Sequence, residues 1–191
     1  MTRAQLVIQC AEQLLSYLDI FPGTDAPDAI VKATGIVLRY YDLGSLKGFY
    51  TILNSQDCIG LNAGLKEFER IEALAHELGH CFLHKSMARS GILSDYDLYQ
   101  VSIHTEWEAN LFAATVLIPY DYRKSYDVGS ISSLASTLHV SEELLSLRIQ
   151  CNELISKNNF SHSFSSDDSS INFNRSLIES EHDDRFCKPM K

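Results

Sequence analysis

The sequence predicts an α+β domain in which helices precede and follow one small antiparallel sheet. Three observations carry this prediction. Apolar residues recur at helical spacing near the start of the chain, and they do so again from Leu65 to Lys85. Between these two segments, from Ile36 to Asn62, the pattern changes to short β-branched and aromatic runs separated by turn residues.

The first two helices are predicted from their ends and their apolar faces. Thr2 is a suitable N-cap for a first helix that Phe21 to Gly23 terminates. The apolar stripe of that helix consists of Leu6, Cys10, Leu14 and Leu18. A shorter second helix is expected to begin near Asp25 or Asp28 and to stop at Gly35.

Three short strands follow the second helix in the predicted order. They span Ile36 to Leu43, Gly48 to Asn54 and Asp57 to Asn62. The last two are joined at Asn54-Ser55-Gln56, a connection short enough for a hairpin. The sheet is therefore expected to be small and antiparallel.

The helix predicted from Leu65 to Lys85 contains an HExxH motif at residues 76–80. At about 3.6 residues per turn, His76 and His80 lie one turn apart on one face and can reach a single metal ion. Glu77 lies beside them, where a carboxylate can take a proton from an attacking water. The alternative is that the two histidines are ordinary residues of a partly buried helix.

Other residues of this helix indicate what packs around the HExxH motif. Its separate apolar face consists of Phe68, Ile71, Ala75, Leu78 and Phe82. Gly79 costs a helix interior about 1 kcal/mol relative to Ala, which indicates close approach of another backbone or a metal site. Cys81 lies about 100 degrees from His80 around the helix and is predicted to be a small buried residue rather than a ligand. His84 follows on the ligand face, either orienting a ligand or capping the helix.

A third protein ligand is expected on another helix, because three ligands leave a fourth position for water. The next helical pattern, closed by Pro119, offers two acids, Glu106 and Glu108. Glu106 shares a face with small residues and with Asn110, whereas Glu108 points about 160 degrees away. We therefore assign Glu106 as the ligand, with Asn110 placed to hydrogen-bond a ligand histidine. The alternative is an exposed helix whose acids are merely solvated.

The stretch from Ser86 to Ser102, between these two helices, is predicted to be irregular. Transition-state stabilisation in a hydrolase needs a donor in addition to a metal. Tyr96, Tyr99 and His104 lie near the second of these helices, but their spacing does not select one of them.

Together these motifs resemble the ImmA/IrrE family of zinc metallopeptidases, bacterial proteins often encoded on phages and integrative elements. The resemblance rests on the HExxH motif, on Glu106-x-x-Ala109-Asn110-x-Phe112-Ala113-Ala114 and on Leu117-Ile118-Pro119. Weaker matches are Ile59 to Asn62, Leu134-Ala135, Val140-Ser141 and Arg148-Ile149. The resemblance as a whole covers roughly residues 1 to 150.

The resemblance implies a zincin-like fold and a zinc-dependent endopeptidase. In such an enzyme His76, His80 and Glu106 hold Zn²⁺, and Glu77 is the catalytic base. The implied substrate is a helix-turn-helix repressor that controls a mobile element or a stress regulon. A second hypothesis is a non-proteolytic metal-binding regulator that sequesters a repressor or a toxin. Retention of Glu77 favours the enzyme, because zinc binding alone does not require a base there.

Zincins commonly hold an extended substrate against an edge strand by main-chain hydrogen bonds. Two segments are candidates for that edge, Phe49 to Leu53 and Cys58 to Leu61. The alternative for either segment is an ordinary core strand.

The chain is expected to divide into three parts. Residues 1–122 form the metallopeptidase domain, residues 123–155 a helical segment, and residues 156–191 a disordered, Ser-rich and acidic tail. Ser130 to Cys151 resembles a helix-turn-helix, with a turn near His139 and a second helix opened by Ser141. That second helix starts with two acids, which favours packing or repressor docking over DNA reading.

The composition of the chain disfavours some classes of function and location. The net charge is −9, with 25 acidic against 16 basic residues, which disfavours direct nucleic-acid binding. The five cysteines are odd in number and lack CxxC spacing, as is typical of reduced thiols. The start of the chain does not resemble a signal peptide, and no stretch reaches the ~20 apolar residues of a membrane span. We therefore expect a cytoplasmic protein.

Overall fold

The computed structural model describes residues 2–86, 95–122 and 130–162, without the side chains of 95–102 and 154–162. Six helices and three strands lie in these residues. They are α1 (Arg3–Leu18), α2 (Ala26–Thr34), β1 (Val37–Tyr41), β2 (Gly48–Leu53), β3 (Gln56–Asn62), α3 (Glu67–Leu83), α4 (Asp95–Leu117), α5 (Ile131–Leu138) and α6 (Glu142–His162). The prediction of an α+β domain is confirmed.

Helices α1 and α2 begin and end where their capping residues predict. The Thr2 side chain accepts a hydrogen bond from the Gln5 backbone, and the Gln5 side chain accepts one from the Thr2 backbone. Helix α2 follows Asp25 and ends at Gly35, in the left-handed conformation. The buried face of α1 comprises Val7, Ile8, Cys10, Ala11 and Leu15. It differs from the predicted stripe because residues at strict four-residue spacing drift about 40 degrees per step around a helix.

The sheet is mixed rather than antiparallel. Strands β2 and β3 form the predicted hairpin, and Asn54 and Ser55 both have positive φ, as its tight turn requires. However, β3 also pairs with β1, in parallel, so the order is β1-β3-β2 and the antiparallel prediction is wrong for this pair. The physical reason is burial: β3 is the most buried strand and takes the centre, which separates β1 from its neighbour in sequence.

The strand order decides between the two candidate substrate edges. Cys58 to Leu61 lies in β3, whose backbone pairs with strands on both sides, so this segment cannot take an added strand. Phe49 to Leu53 lies in β2, an edge of the sheet as described. Of the two candidate segments, the one in β2 therefore retains a row of main-chain groups that could bind an extended peptide.

Helices α3 and α4 cross at Gly79, the glycine of the HExxH motif. A Cβ atom at this position would lie 2.8 Å from Cα and 3.0 Å from the carbonyl oxygen of Ala109. Only hydrogen fits there, which confirms that Gly79 marks the close approach of another backbone. Most of the predicted apolar face of α3 is buried, but Phe68 in its first turn is 47% exposed.

Helix α4 starts earlier than the sequence indicates. The prediction of an irregular stretch from Ser86 to Ser102 is wrong from Asp95 onward, where the backbone is helical. Residues 87–94 lie outside the described residues. Tyr, Asp and Ser have modest helix propensity, but continuity with the strongly packed second half of α4 outweighs it.

Helices α5 and α6 pack against α3 and α4 rather than standing apart. Leu134, Leu138 and Leu145 share a buried cluster with Ala75 and Ala113. His139, in the left-handed conformation, makes the predicted turn between the two helices. Helix α6 continues to His162, past the predicted start of the disordered tail at residue 156. Residues 163–191 lie outside the described residues.

Arg148 secures α6 in this position. Its side chain is 1% exposed, and Nη1 donates to the Thr115 hydroxyl of α4 at 3.2 Å. Nη2 lies 3.6 Å from Glu12 of α1. One buried guanidinium therefore ties three helices together, which accounts for an arginine at this position.

The cysteines only partly follow the prediction. Cys58, Cys81 and Cys151 carry free thiols, but Cys10 is disulfide-bonded, so the prediction of reduced thiols is wrong for it. Count and spacing alone do not show which cysteines the fold brings together. None of the described helices is both long and apolar enough to cross a lipid bilayer.

The close crossing predicts that a larger residue at position 79 lowers the free energy of unfolding. Gly79→Ala should gain about 1 kcal/mol from helix propensity but lose about 1–3 kcal/mol from overpacking against backbone. The free energy of unfolding should therefore fall, and Gly79→Leu should lower it further. Chemical denaturation measures both changes.

Gly64→Ala is the matched control, since its Cβ would meet only Asn62 Oδ1, at an ordinary 3.4 Å. A Gly79→Ala variant that is more stable than the native protein would contradict the close crossing.

Candidate metal centre

The structure brings His76, His80 and Glu106 together, as the sequence predicts. The two Nε2 atoms are 3.1 Å apart, and they lie 3.2 and 3.3 Å from the carboxylate oxygens of Glu106. A tetrahedral zinc ion with bonds of 2.0–2.1 Å has ligand atoms about 3.3–3.4 Å apart. The spacing of this donor set therefore fits a small divalent ion. It is the one His/Cys/Asp/Glu group within the described part of the chain that is close enough to hold a metal.

Hydrogen bonds turn both imidazole rings toward the centre of this group. His76 Nδ1 lies 2.8 Å from the Asn110 amide oxygen. An amide oxygen only accepts, so Nδ1 donates and the Nε2 lone pair is left for a metal. His80 is held in the same sense by His84, with 3.1 Å between the two Nδ1 atoms. Asn110 thus lies beside His76 and His84 beside His80, and His84 is also the C-cap residue of α3.

Burial keeps His80 in the form that binds metals. Burial, reinforced by the neighbouring His76 and His84, lowers the pKa of His80 to about 3. The ring is therefore neutral at physiological pH, as metal binding requires.

Glu77 lies outside the metal group but close to it. Its side chain is buried, and burial followed by the charge of Glu106 raises the pKa of Glu77 to about 7. It lies against the start of β2, where a Cβ atom added at Gly48 would be 3.1 Å from Glu77 Oε1. The backbone of β2 thus confines a carboxylate whose pKa suits proton exchange near neutral pH.

A cleft of about 750 Å³ opens over these residues. One wall is the β2 edge from Lys47 to Tyr50, and the opposite wall is the start of α6 with Leu144 and Leu147. Glu72 of α3 also lines the cleft and is tied to the α6 side, since its carboxylate accepts a hydrogen bond from the Ser141 backbone N–H. The cleft is large enough for several residues of an extended chain.

Glu108 lies on the other side of α4, as its position in the sequence predicts. Its carboxylate is ion-paired with Arg3 of α1, and Oε2 lies 2.9 Å from His84 Nε2. It does not reach the metal group. This separation of the two acids supports Glu106 over Glu108 as the candidate ligand.

Among the three candidate transition-state donors, only His104 has a described side chain. His104 is exposed and does not line the cleft. The side chains of Tyr96 and Tyr99 lie outside the described residues. The position of His104 therefore does not support a role as oxyanion donor.

A buried polar cluster behind the cleft was not predicted. Asp57 accepts hydrogen bonds from Tyr50 at 2.8 Å and from Lys85 at 2.6 Å, which ties β2 and β3 to the end of α3. Burial and the Asp57 hydrogen bond raise the pKa of Tyr50. Burial and the nearby Asp57 raise the pKa of Cys81 to about 12, so this buried thiol stays protonated. Partners separated by many residues leave no spacing pattern that would reveal such a cluster.

Comparisons with known proteins agree with this architecture. The sequence model of the Peptidase_M78 family, described as the IrrE N-terminal-like domain, matches residues 31–150. An uncharacterized immunity region protein 2 of Bacillus phage phi105 is 35% identical over 74 residues, which are 39% of this chain and 46% of that protein. A Mycobacterium tuberculosis transcriptional regulator has a similar fold, with 18% identity and a TM-score of 0.51 over 74% of this chain and 46% of its own. The chain thus spans less than half the length of each of these relatives.

The donor set predicts about one zinc ion per chain. His76→Ala or His80→Ala should abolish stoichiometric binding, because two remaining ligands bind Zn²⁺ poorly. Glu106→Gln should lower the affinity strongly, since zinc favours a charged carboxylate oxygen. Elemental analysis and calorimetric titration measure both effects. His104→Ala is the control, because His104 is exposed and outside the cleft. Full zinc content in purified His76→Ala would rule out this centre.

Proposed function

This chain belongs to the Peptidase_M78 family of IrrE N-terminal-like domains, and from that premise we propose that it is a zinc-dependent endopeptidase. One observation carries the proposal. A His76/His80/Glu106 group with zinc-like spacing lies beside a separate, buried Glu77 in a cleft bordered by a sheet edge. A site for metal binding alone has no need of that further buried carboxylate.

Zinc at this group would supply Lewis acidity, lowering the pKa of a water and polarising a peptide carbonyl. Glu77 accepts the proton that this water loses as its oxygen bonds to the carbonyl carbon. Glu77 then returns the proton to the amide nitrogen as the C–N bond breaks. Asn110 orients the His76 ring and His84 orients the His80 ring, so both imidazoles keep Nε2 directed at Glu106.

The cleft favours an extended protein segment as the substrate. The exposed main chain of β2 can pair with a peptide strand regardless of most of its side chains. Leu144 and Leu147 on the opposite wall offer apolar contact, and Lys47 at the β2 end offers a positive charge. An unfolded or locally opened stretch of a folded protein would fit between them.

We propose a helix-turn-helix repressor of a mobile element or stress regulon as the substrate. Similarity to an immunity region protein of a phage supports a mobile-element setting. The net charge of −9 makes direct action on nucleic acid a weaker alternative. The start of helix α6 borders the cleft, so it is suited to contact the repressor rather than DNA. We place this activity in the cytoplasm, where such repressors act.

Glu77→Gln tests whether the protein cleaves its partner or only binds it. Gln keeps the size of the side chain and leaves the three ligands intact, so zinc content and folding should be close to native. Gln cannot accept the proton, so cleavage should slow by about 10²–10⁴-fold. The measurement mixes each variant with a purified candidate repressor and follows the repressor fragments on a gel.

Glu67→Gln is the matched control, an exposed glutamate in the first turn of the same helix. It should cleave at the native rate. Equal relief of repression by native protein and Glu77→Gln, with no fragments from either, would mean that the protein acts by sequestration. A toxin encoded beside the gene, bound without cleavage, would support the same alternative.

A further inference from the structure

A continuous chain of polar contacts runs from helix α1 to the His80 ring. Arg3 Nε is paired with Glu108 Oε1, and Glu108 Oε2 lies 2.9 Å from His84 Nε2. His84 Nδ1 lies 3.1 Å from His80 Nδ1. The chain thus connects α1, α4 and the end of α3 to one of the two candidate ligand histidines.

When both imidazole rings are neutral, the partners along this chain determine where each proton lies. An ionised carboxylate only accepts, so His84 Nε2 must carry the proton that points at Glu108. The other nitrogen of a neutral His84, Nδ1, is then an acceptor. It faces His80 Nδ1, which must therefore donate. His80 Nε2 is left with a bare lone pair, and this is the atom that faces Glu106 and the second histidine.

Because Glu108 and His84 are buried, both need hydrogen-bond or ion-pair partners. Glu108 and His84 are each 8% exposed, and a buried carboxylate is costly unless it is paired and hydrogen-bonded. Arg3 supplies the opposite charge. The His84 backbone N–H also donates to the His80 carbonyl at 2.9 Å, so His84 cannot move far from the ring that it contacts.

The two ligand histidines are held differently. His76 is oriented by the neutral amide of Asn110, which lies one turn from Glu106 on α4. His80 is oriented through a charged pair that involves α1, and Arg3 lies outside the segment that matches the family, residues 31–150. Loss of the charged pair should therefore disturb His80 and leave His76 in place.

We propose that Arg3, Glu108 and His84 form a positioning relay that sets the tautomer and the orientation of His80. The relay rests on the proposed metal site but does not depend on peptidase activity. It makes the first helix part of the metal centre as well as part of the core. Glu108 and His84 are positioning residues: they act on the metal only through His80.

The test separates the relay from simple packing of α1 on α4. His84→Leu removes the acceptor for His80 Nδ1, whereas His84→Asn restores one, because the Asn oxygen lies near the position of His Nδ1. Glu108→Gln keeps the size of the side chain, but its amide can either donate or accept, so it no longer dictates the tautomer of His84. In the metal-free protein, ¹⁵N NMR of the imidazole rings reports which nitrogen of His80 is protonated.

We expect a single Nδ1–H form of His80 in the native protein and in His84→Asn, and mixed forms in His84→Leu and Glu108→Gln. Zinc affinity should fall by about 10–100-fold in the last two variants and recover in His84→Asn. The ring form of His76 should not change. Circular dichroism checks that each variant is folded, and Glu108→Gln alone decides the question if His84→Leu does not fold.

An unchanged His80 tautomer together with native zinc affinity in folded Glu108→Gln would overturn the relay. A zinc affinity that falls in His84→Leu and does not recover in His84→Asn would also overturn it, since packing alone would then account for the loss. If the native protein does not bind zinc, the proposed function fails, yet the NMR measurement still decides the relay.

Discussion

The candidate metal centre depends on how closely helices α3 and α4 approach each other. At Gly79 the two backbones leave no room for a Cβ atom. That contact lies between His76 and His80 on one helix, and between Glu106 and Asn110 on the other. It brings a carboxylate on α4 within 3.3 Å of both imidazoles of α3. A wider separation of the helices would preserve every residue of the motif and lose the site.

Burial gives the same residues their electrostatic character. Taken out of water, His80 becomes harder to protonate and Glu77 harder to ionise. Glu106 adds a negative charge beside Glu77, and two carboxylates close together in a partly buried cleft call for a compensating cation. The arrangement therefore favours a divalent ion at the centre, with neutral imidazoles to bind it and a carboxylate of near-neutral pKa beside it.

Motif spacing and helix geometry predicted which residues form the candidate site, but not how segments distant in sequence pack together. Helix caps placed α1 and α2, and the angle between successive helical residues separated Glu106 from Glu108 before any contact was known. By contrast, the parallel pairing of β1 with β3, the early start of α4 and the disulfide at Cys10 were not predictable. Each of these three features depends on contacts between segments that are far apart in the sequence. The ion pair of Arg3 with Glu108 belongs to the same class, because its partners are 105 residues apart.

The most direct measurement of the central claim is a zinc-loaded crystal structure with anomalous scattering recorded at the zinc edge. The close crossing of α3 and α4 predicts one zinc peak about 2.0–2.1 Å from Nε2 of His76, Nε2 of His80 and a carboxylate oxygen of Glu106. Glu77 should lie beside the peak without binding it, and Gly79 should remain in contact with Ala109. A zinc ion bound by Glu108 and His84 instead, or a His76/His80/Glu106 group that stays empty in excess zinc, would contradict the claim.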